Sequence, residues 1–206
     1  MKNIWGKCIL ISLIIITIFI LGGCDNKKVI SEKAPKTTAQ KYDDAFEGFI
    51  KNYYNSEISS DENYLKQFFI NPNVADIQLV KKKFLIFNIE KINFQGVYNI
   101  KKSGRIAVMV STFDALFKNI NNPRPDVEIL VLINKNKSWY FLNDDEVLKP
   151  DEAEWVNEQR KIESKFIVTD KKMQNILQTN QKFDEDNRTY MEACQQKFLQ
   201  QQSSTN

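Results

Sequence analysis

"VEILVLINKNKSWYFLN", residues 127–143, is the stretch whose reading decides the fold. Val127 to Ile133 is apolar throughout except for Glu128, as expected of a central strand. "NKNK" (134–137) is turn chemistry, and "SWYFL" (138–142) is a second β-rich run. The pair is a hairpin, and its apolar first half must find cover on both sides.

Upstream, the pattern is also β-like. "FLIFNIEKINF" (84–94) alternates after a continuous apolar beginning. "GVYNIKKSGRIAVMVSTF" (96–113) holds two β-rich runs around a turn at Lys101-Lys102-Ser103-Gly104. In the second run Ile106, Val108, Val110 and Thr112 face one way, and Ala107, Met109, Ser111 and Phe113 the other. "NINNPRP" (119–125) is a loop. An antiparallel meander of three to four strands is predicted.

Helices precede the meander. Tyr42, Ala45, Phe46, Phe49, Ile50, Tyr53 and Tyr54 fall on one face of an amphipathic helix. Ser59 with Glu62 reads as a capping box that starts a short second helix. Asn71-Pro72 reads as the start of a third, running to about Lys82. The fold class is therefore α+β, with N-terminal helices packed on a curved antiparallel sheet.

The aromatic first helix, "FNIEKINFQGVYNIKKSGRIAVMV" (87–110) and "VEILVLINKNKSWYFLN" together resemble the NTF2-like, or cystatin-like, α+β cone. The resemblance implies a long helix packed into the concave side of a bent sheet. It covers about residues 41–145 and rests on pattern, because the fold has no invariant motif. It also implies an apolar cavity, for which Phe46, Phe49, Tyr53, Met109 and Trp139 are the candidate lining.

Residues 149–206 form a helical extension with a frayed end. Pro150, Asp151, Glu152 and Glu154 open a helix with Trp155, Ile162 and Phe166 on its apolar face. A second helix is expected from Asp170 to about Gln201. Its stripe is Met173, Ile176, Asn180, Phe183, Asn187, Tyr190 and Cys194. Two asparagines in that stripe weaken a coiled-coil reading and favour an arm folded on the domain.

The N-terminus carries an address. Lys2 and Lys7 precede an apolar run from Ile9 to Leu21, too short to cross a membrane as a helix of about 20 residues. Leu21-Gly22-Gly23-Cys24 resembles the lipobox of bacterial lipoproteins. That resemblance implies that residues 1–23 are a signal peptide, that Cys24 is lipidated, and that the protein partners a membrane through this lipid. Residues 24–40 then form a polar tether, and residues 41–148 the α+β domain. Asp25 resembles an inner-membrane retention signal, which places the domain on the periplasmic face.

Chemistry is sparse. The chain of 206 residues has no histidine, which removes the usual general base and the commonest metal ligand. It has no glycine-rich phosphate loop and no paired-cysteine motif. No cofactor or metal is expected. With Cys8 removed and Cys24 lipidated, Cys194 stands alone and reads as a small buried hydrophobe. The formal charge of +3 drops to +1 once Lys2 and Lys7 are gone, so no nucleic-acid partner is expected. The runs Lys81-Lys82-Lys83 and Lys101-Lys102 read as a solvated helix end and a turn. Tyr53, Tyr54 and Tyr98 could serve carboxylate-assisted chemistry, but no strand position is seen to pair an inward acid with an apolar lining.

These features favour a non-enzymatic, lipid-anchored protein-binding module, such as an accessory subunit of an envelope or secretion assembly. An immunity lipoprotein that neutralises an envelope-acting toxin fits the same features. A binder of a small apolar ligand is the remaining alternative.

Overall fold

The computed structural model describes residues 44–203. The signal, the lipobox residues Leu21, Gly22, Gly23 and Cys24, and the tether lie outside them. Among the described residues no helix is long and apolar enough to cross a membrane.

Helix α1 (Asp44–Glu57) carries the expected aromatic face, with Phe46, Ile50, Tyr53 and Tyr54 buried. Helix α2 (Glu62–Lys66) starts two residues later than predicted. Asp61, and not Ser59, is its N-cap and accepts from the Tyr64 amide at 2.9 Å. Asn71-Pro72 opens only a 3-10 turn, Pro72–Val74. Asp76 caps α3 (Ile77–Ile86) through the Leu79 amide at 3.0 Å. The apolar "FLIF" expected to open a strand is the last turn of α3 and its cap. A short apolar run has no periodicity to separate helix from strand. The cap at Asp76 and the left-handed Asn88, with φ of 45°, settle it.

The sheet is a meander in the order β1-β2-β3-β4. Its strands are β1 (Ile89–Ser103), β2 (Ile106–Phe117), β3 (Arg124–Lys135) and β4 (Ser138–Phe141). All neighbours are antiparallel. The element order, helices then meander, is the one the NTF2-like resemblance implies. Asn136 and Lys137, with φ of 55° and 67°, make the two-residue turn between β3 and β4. Strand β1 is continuous where two runs were expected, and its register shifts three times, at Ile89/Lys91, Phe94/Gly96 and Tyr98/Lys101. Such bulges twist an edge strand and spoil it as a template for further pairing. The opposite edge is covered, since β4 exchanges bonds with the chain after α2: Phe141 N to Phe68 O at 2.8 Å and Ile70 N to Phe141 O at 2.9 Å.

Strand β2 keeps the predicted alternation. Ala107, Met109 and Phe113 join the main core with α1, whereas Ile106, Val108 and Val110 point to the other face. Leu130 and Leu132 of β3 accompany the first set, and Val131 and Ile133 the second.

The C-terminal helices cover that second face. Helix α4 (Pro150–Thr169) buries Val156, Gln159 and Glu163. This corrects the predicted face: Trp155 and Phe166 are only partly buried, and Ile162 is 42% exposed. Val156 packs with Ile106, Val108, Val131 and Ile133. Polar groups hold the rest. Arg105 forks onto Glu152 at 2.8 and 2.9 Å, and Asn99 Nδ2 donates to both oxygens of Glu163 at 2.8 and 2.9 Å.

The expected second C-terminal helix is two, α5 (Lys171–Asp186) and α6 (Arg188–Ser203). Asn187 ends α5 by donating its Nδ2 to Phe183 O at 2.9 Å. The break lets the stripe turn a corner. Met173 packs with Val110 and Val127 on the second face, whereas Phe183, Met191, Cys194 and Phe198 join the main core beside α3. Cys194 is buried as expected, with its thiol against Ile86 O at 3.3 Å. Asn180 is a docking group: its amide donates to Pro125 O at 2.7 Å and accepts from Arg124.

Met173 is fully buried between α5 and the sheet. Truncating a buried Met to Ala costs about 2–5 kcal/mol. Met173→Ala is therefore expected to lower the free energy of the main unfolding transition by that amount in urea titrations. A decorating arm would leave that transition in place.

Candidate functional site

The 3–4 spacing that buries Tyr53 and Tyr54 reaches Glu57 at its next step, and Glu57 is buried too. Tyr53 Oη donates to Glu57 Oε1 at 2.8 Å. One residue on, Tyr54 Oη donates to Glu128 Oε1 on β3 and lies 3.4 Å from Ser111 Oγ on β2. Lys83 of α3 is buried beside them. It interacts electrostatically with Asp126, Glu57, Glu128 and Arg124, and among the described residues its ammonium makes no hydrogen bond or ion pair.

Arg124, at the start of β3, is 2% exposed, and all three of its guanidinium nitrogens donate hydrogen bonds. Its Nη1 donates to Asp126 Oδ2 at 2.5 Å. Its Nε and Nη2 grip Asp184 of α5 at 2.8 and 3.0 Å, and Nη2 also reaches Asn180 Oδ1 at 3.0 Å. The planar fork is what lets one cation satisfy groups on two elements. Asp126 Oδ1 takes the Val127 amide at 2.9 Å.

Burial dominates the titration of the cluster. Desolvation pushes Glu57 up to about 8, against the lowering effect of the Tyr53 hydrogen bond. It pushes Glu128 up to about 7 and Lys83 down to about 8. Both tyrosines are raised well above their ordinary value, first by desolvation and then by the neighbouring carboxylates. Phenols so raised stay protonated and do not act as bases at neutral pH. Among the described residues no group of three or more His, Cys, Asp or Glu side chains is placed to hold a metal ion.

The expected cavity residues are brought together. Phe46, Tyr53 and Met109 are buried in the main core, with Phe49 and Trp139 packed against it. Phe46 meets Trp139 edge-on at 4.7 Å, while Phe49 and Tyr53 meet Phe141 at 5.0 and 4.8 Å. A groove of about 300 Å³ lies elsewhere, between α3 and β1. Its lining includes Ile58, Phe84, Leu85 and Ile89, with Lys81 and Lys118 among its polar residues.

Glu128 is the inward acid that the sequence reading did not find. Its signal was there: it is the one charge in the otherwise apolar run 127–133. Glu57 was signalled by helical spacing. Lys83 was hidden in a lysine run read as solvated. Instead Lys81 donates to Ser60 O, Lys82 to Gln201 O at 2.9 Å, and Lys83 is buried.

No protein-family model matches the chain, and no curated protein matches it. Among solved structures, a putative NTF2-like transpeptidase from Campylobacter jejuni is similar with a TM-score of 0.32 and 15% identity, covering 47% of this chain and 95% of its own. A likeness of that size carries no argument about activity.

Removing one partner of a buried ion pair costs about 3–5 kcal/mol. Arg124→Ala leaves Asp126 and Asp184 without their cation and is expected to lose that much in chemical denaturation. Arg124→Lys is expected to recover little of it, because an ammonium cannot fork.

Proposed function

We propose that this chain is a lipid-anchored bacterial envelope protein that binds another protein and performs no chemistry of its own. The observation that carries the binding reading is the α3–β1 groove. Leu85 stands in it 78% exposed, beside the apolar walls of Ile58, Phe84 and Ile89. A large apolar side chain left in water within a concave surface rimmed by Lys81, Lys118 and Glu90 is the form a binding site takes. Membrane attachment rests on the lipobox, Leu21 to Cys24. The lipid on Cys24 would hold the domain at the surface where its partner lies.

In-cell crosslinking of the full chain tests this. One stoichiometric partner is expected, an envelope component for a scaffold or a toxin for an immunity protein. Leu85→Glu should abolish the crosslink while the fold survives, because Leu85 buries little. Cys24→Ser should move the protein from the membrane to the soluble fraction. A chain that crosslinks to nothing sinks the binding reading. A membrane fraction unchanged by Cys24→Ser sinks the anchor.

A further inference from the structure

The α3–β1 groove selects its occupant by shape and by charge. Phe84 and Ile89 are the buried part of its lining, Ile58 is half-buried and Leu85 stands exposed. At about 300 Å³ it has room for a few side chains and for no whole folded element. Its charged groups are Lys81, Lys118 and Glu90. Lys91 follows Glu90 directly and is exposed like it. Three ammonium groups therefore stand against one carboxylate. Lys81 keeps its charge while it donates to Ser60 O. Among the described residues the side chains of Lys91, Lys118 and Glu90 make no hydrogen bond or ion pair.

That excess of positive charge rules against two occupants. A second copy seated groove to groove would bring two positive rims together. Between the lipobox and α1, the one adjacent pair of large aliphatic side chains is Val29-Ile30. It lies in KKVISEK (27–33), where three lysines accompany one glutamate. Both occupants are repelled. A segment that brings carboxylates is attracted.

Backbone geometry narrows the choice further. Between Ile89 and Lys91, β1 advances two residues while β2 advances one, from Phe117 to Leu116. Glu90 is thus the extra residue of a bulge on an edge strand, which obstructs further strand pairing. An extended segment would leave its amides unpaired in the groove. A helix satisfies its own backbone and brings only side chains.

We infer that the groove takes an acidic amphipathic helix of a partner protein. Two large apolar side chains one turn apart meet Leu85, Phe84 and Ile89, and carboxylates beside them meet Lys81 and Lys118. Glu90 marks the place where the partner carries no acid. This inference rests on the reading of the groove as the partner site and adds the partner's chemistry. A flat anionic membrane would meet the same lysines, but it reaches the rim and not the buried Phe84 and Ile89.

The probe is a displayed library of short random peptides, selected against the full chain in mild detergent. Enriched peptides are expected to pair large apolar residues at i and i+3 or i+4 with flanking Asp or Glu. The best of them should lose binding in Leu85→Glu. Surface charge pairs contribute little each, so Lys118→Glu should weaken it by about fivefold and Glu90→Lys should tighten it, both effects fading at high salt. Enrichment of basic or uncharged peptides, or of none, overturns the inference. So does binding that survives Leu85→Glu, a peptide indifferent to both charge reversals, or its displacement by anionic lipid vesicles. The two readings fail separately. An in-cell partner crosslinked through Leu85 without acidic enrichment leaves binding standing and removes the acidic helix. Acidic enrichment without an in-cell partner supports the groove's chemistry and sinks the binding role.

Discussion

Ile106, Val108 and Val110 leave β2 in one direction and Ala107, Met109 and Phe113 in the other, and all six are buried. A strand that is apolar on both faces cannot stand in a sheet with one side in water. The rest of the chain is arranged around that requirement. Helix α1 and its short successors cover one face. Helices α4 and α5 cover the other, and α6 returns to the first beside α3. The C-terminal helices thus complete the hydrophobic core, although their own sequence is dominated by charged and amide side chains. Each spends few apolar residues, and spends them where the sheet needs them: Val156 on α4, Met173 on α5, and Met191, Cys194 and Phe198 on α6.

Polar contacts set how those layers register. Apolar packing is non-directional and would tolerate sliding of a helix along the sheet. Arg105–Glu152, Asn99–Glu163, Asn180–Pro125 and the Arg124–Asp184 fork fix α4 and α5 at four separate points. Glu152 shows how well the first is made: its carboxyl is held down at about 2 by Arg105 and by the Lys149 amide. Helix α3 plays the equivalent part on the opposite face. Its three consecutive lysines serve three different ends, closing the turn after α1, closing α6, and entering the core.

Periodicity alone was enough for the α+β class, the aromatic face of α1, the two-sided alternation of β2, the hairpin at Asn136-Lys137 and the buried Cys194. Each is a local pattern of apolar and polar residues with a period of 3.6 or 2, or a turn with its own backbone chemistry. Tertiary structure alone decided the rest. "FLIF" became the last turn of α3 and its cap because that helix, started at Asp76 and not at Asn71-Pro72, runs on to Ile86, and Asn187 broke the last helix so that its stripe could serve two faces. Glu57, Lys83 and Glu128 are buried within electrostatic range of one another although they lie far apart in sequence, on elements whose facing depends on the whole fold. Their titration follows from desolvation, which belongs to an assembled interior and to no residue singly.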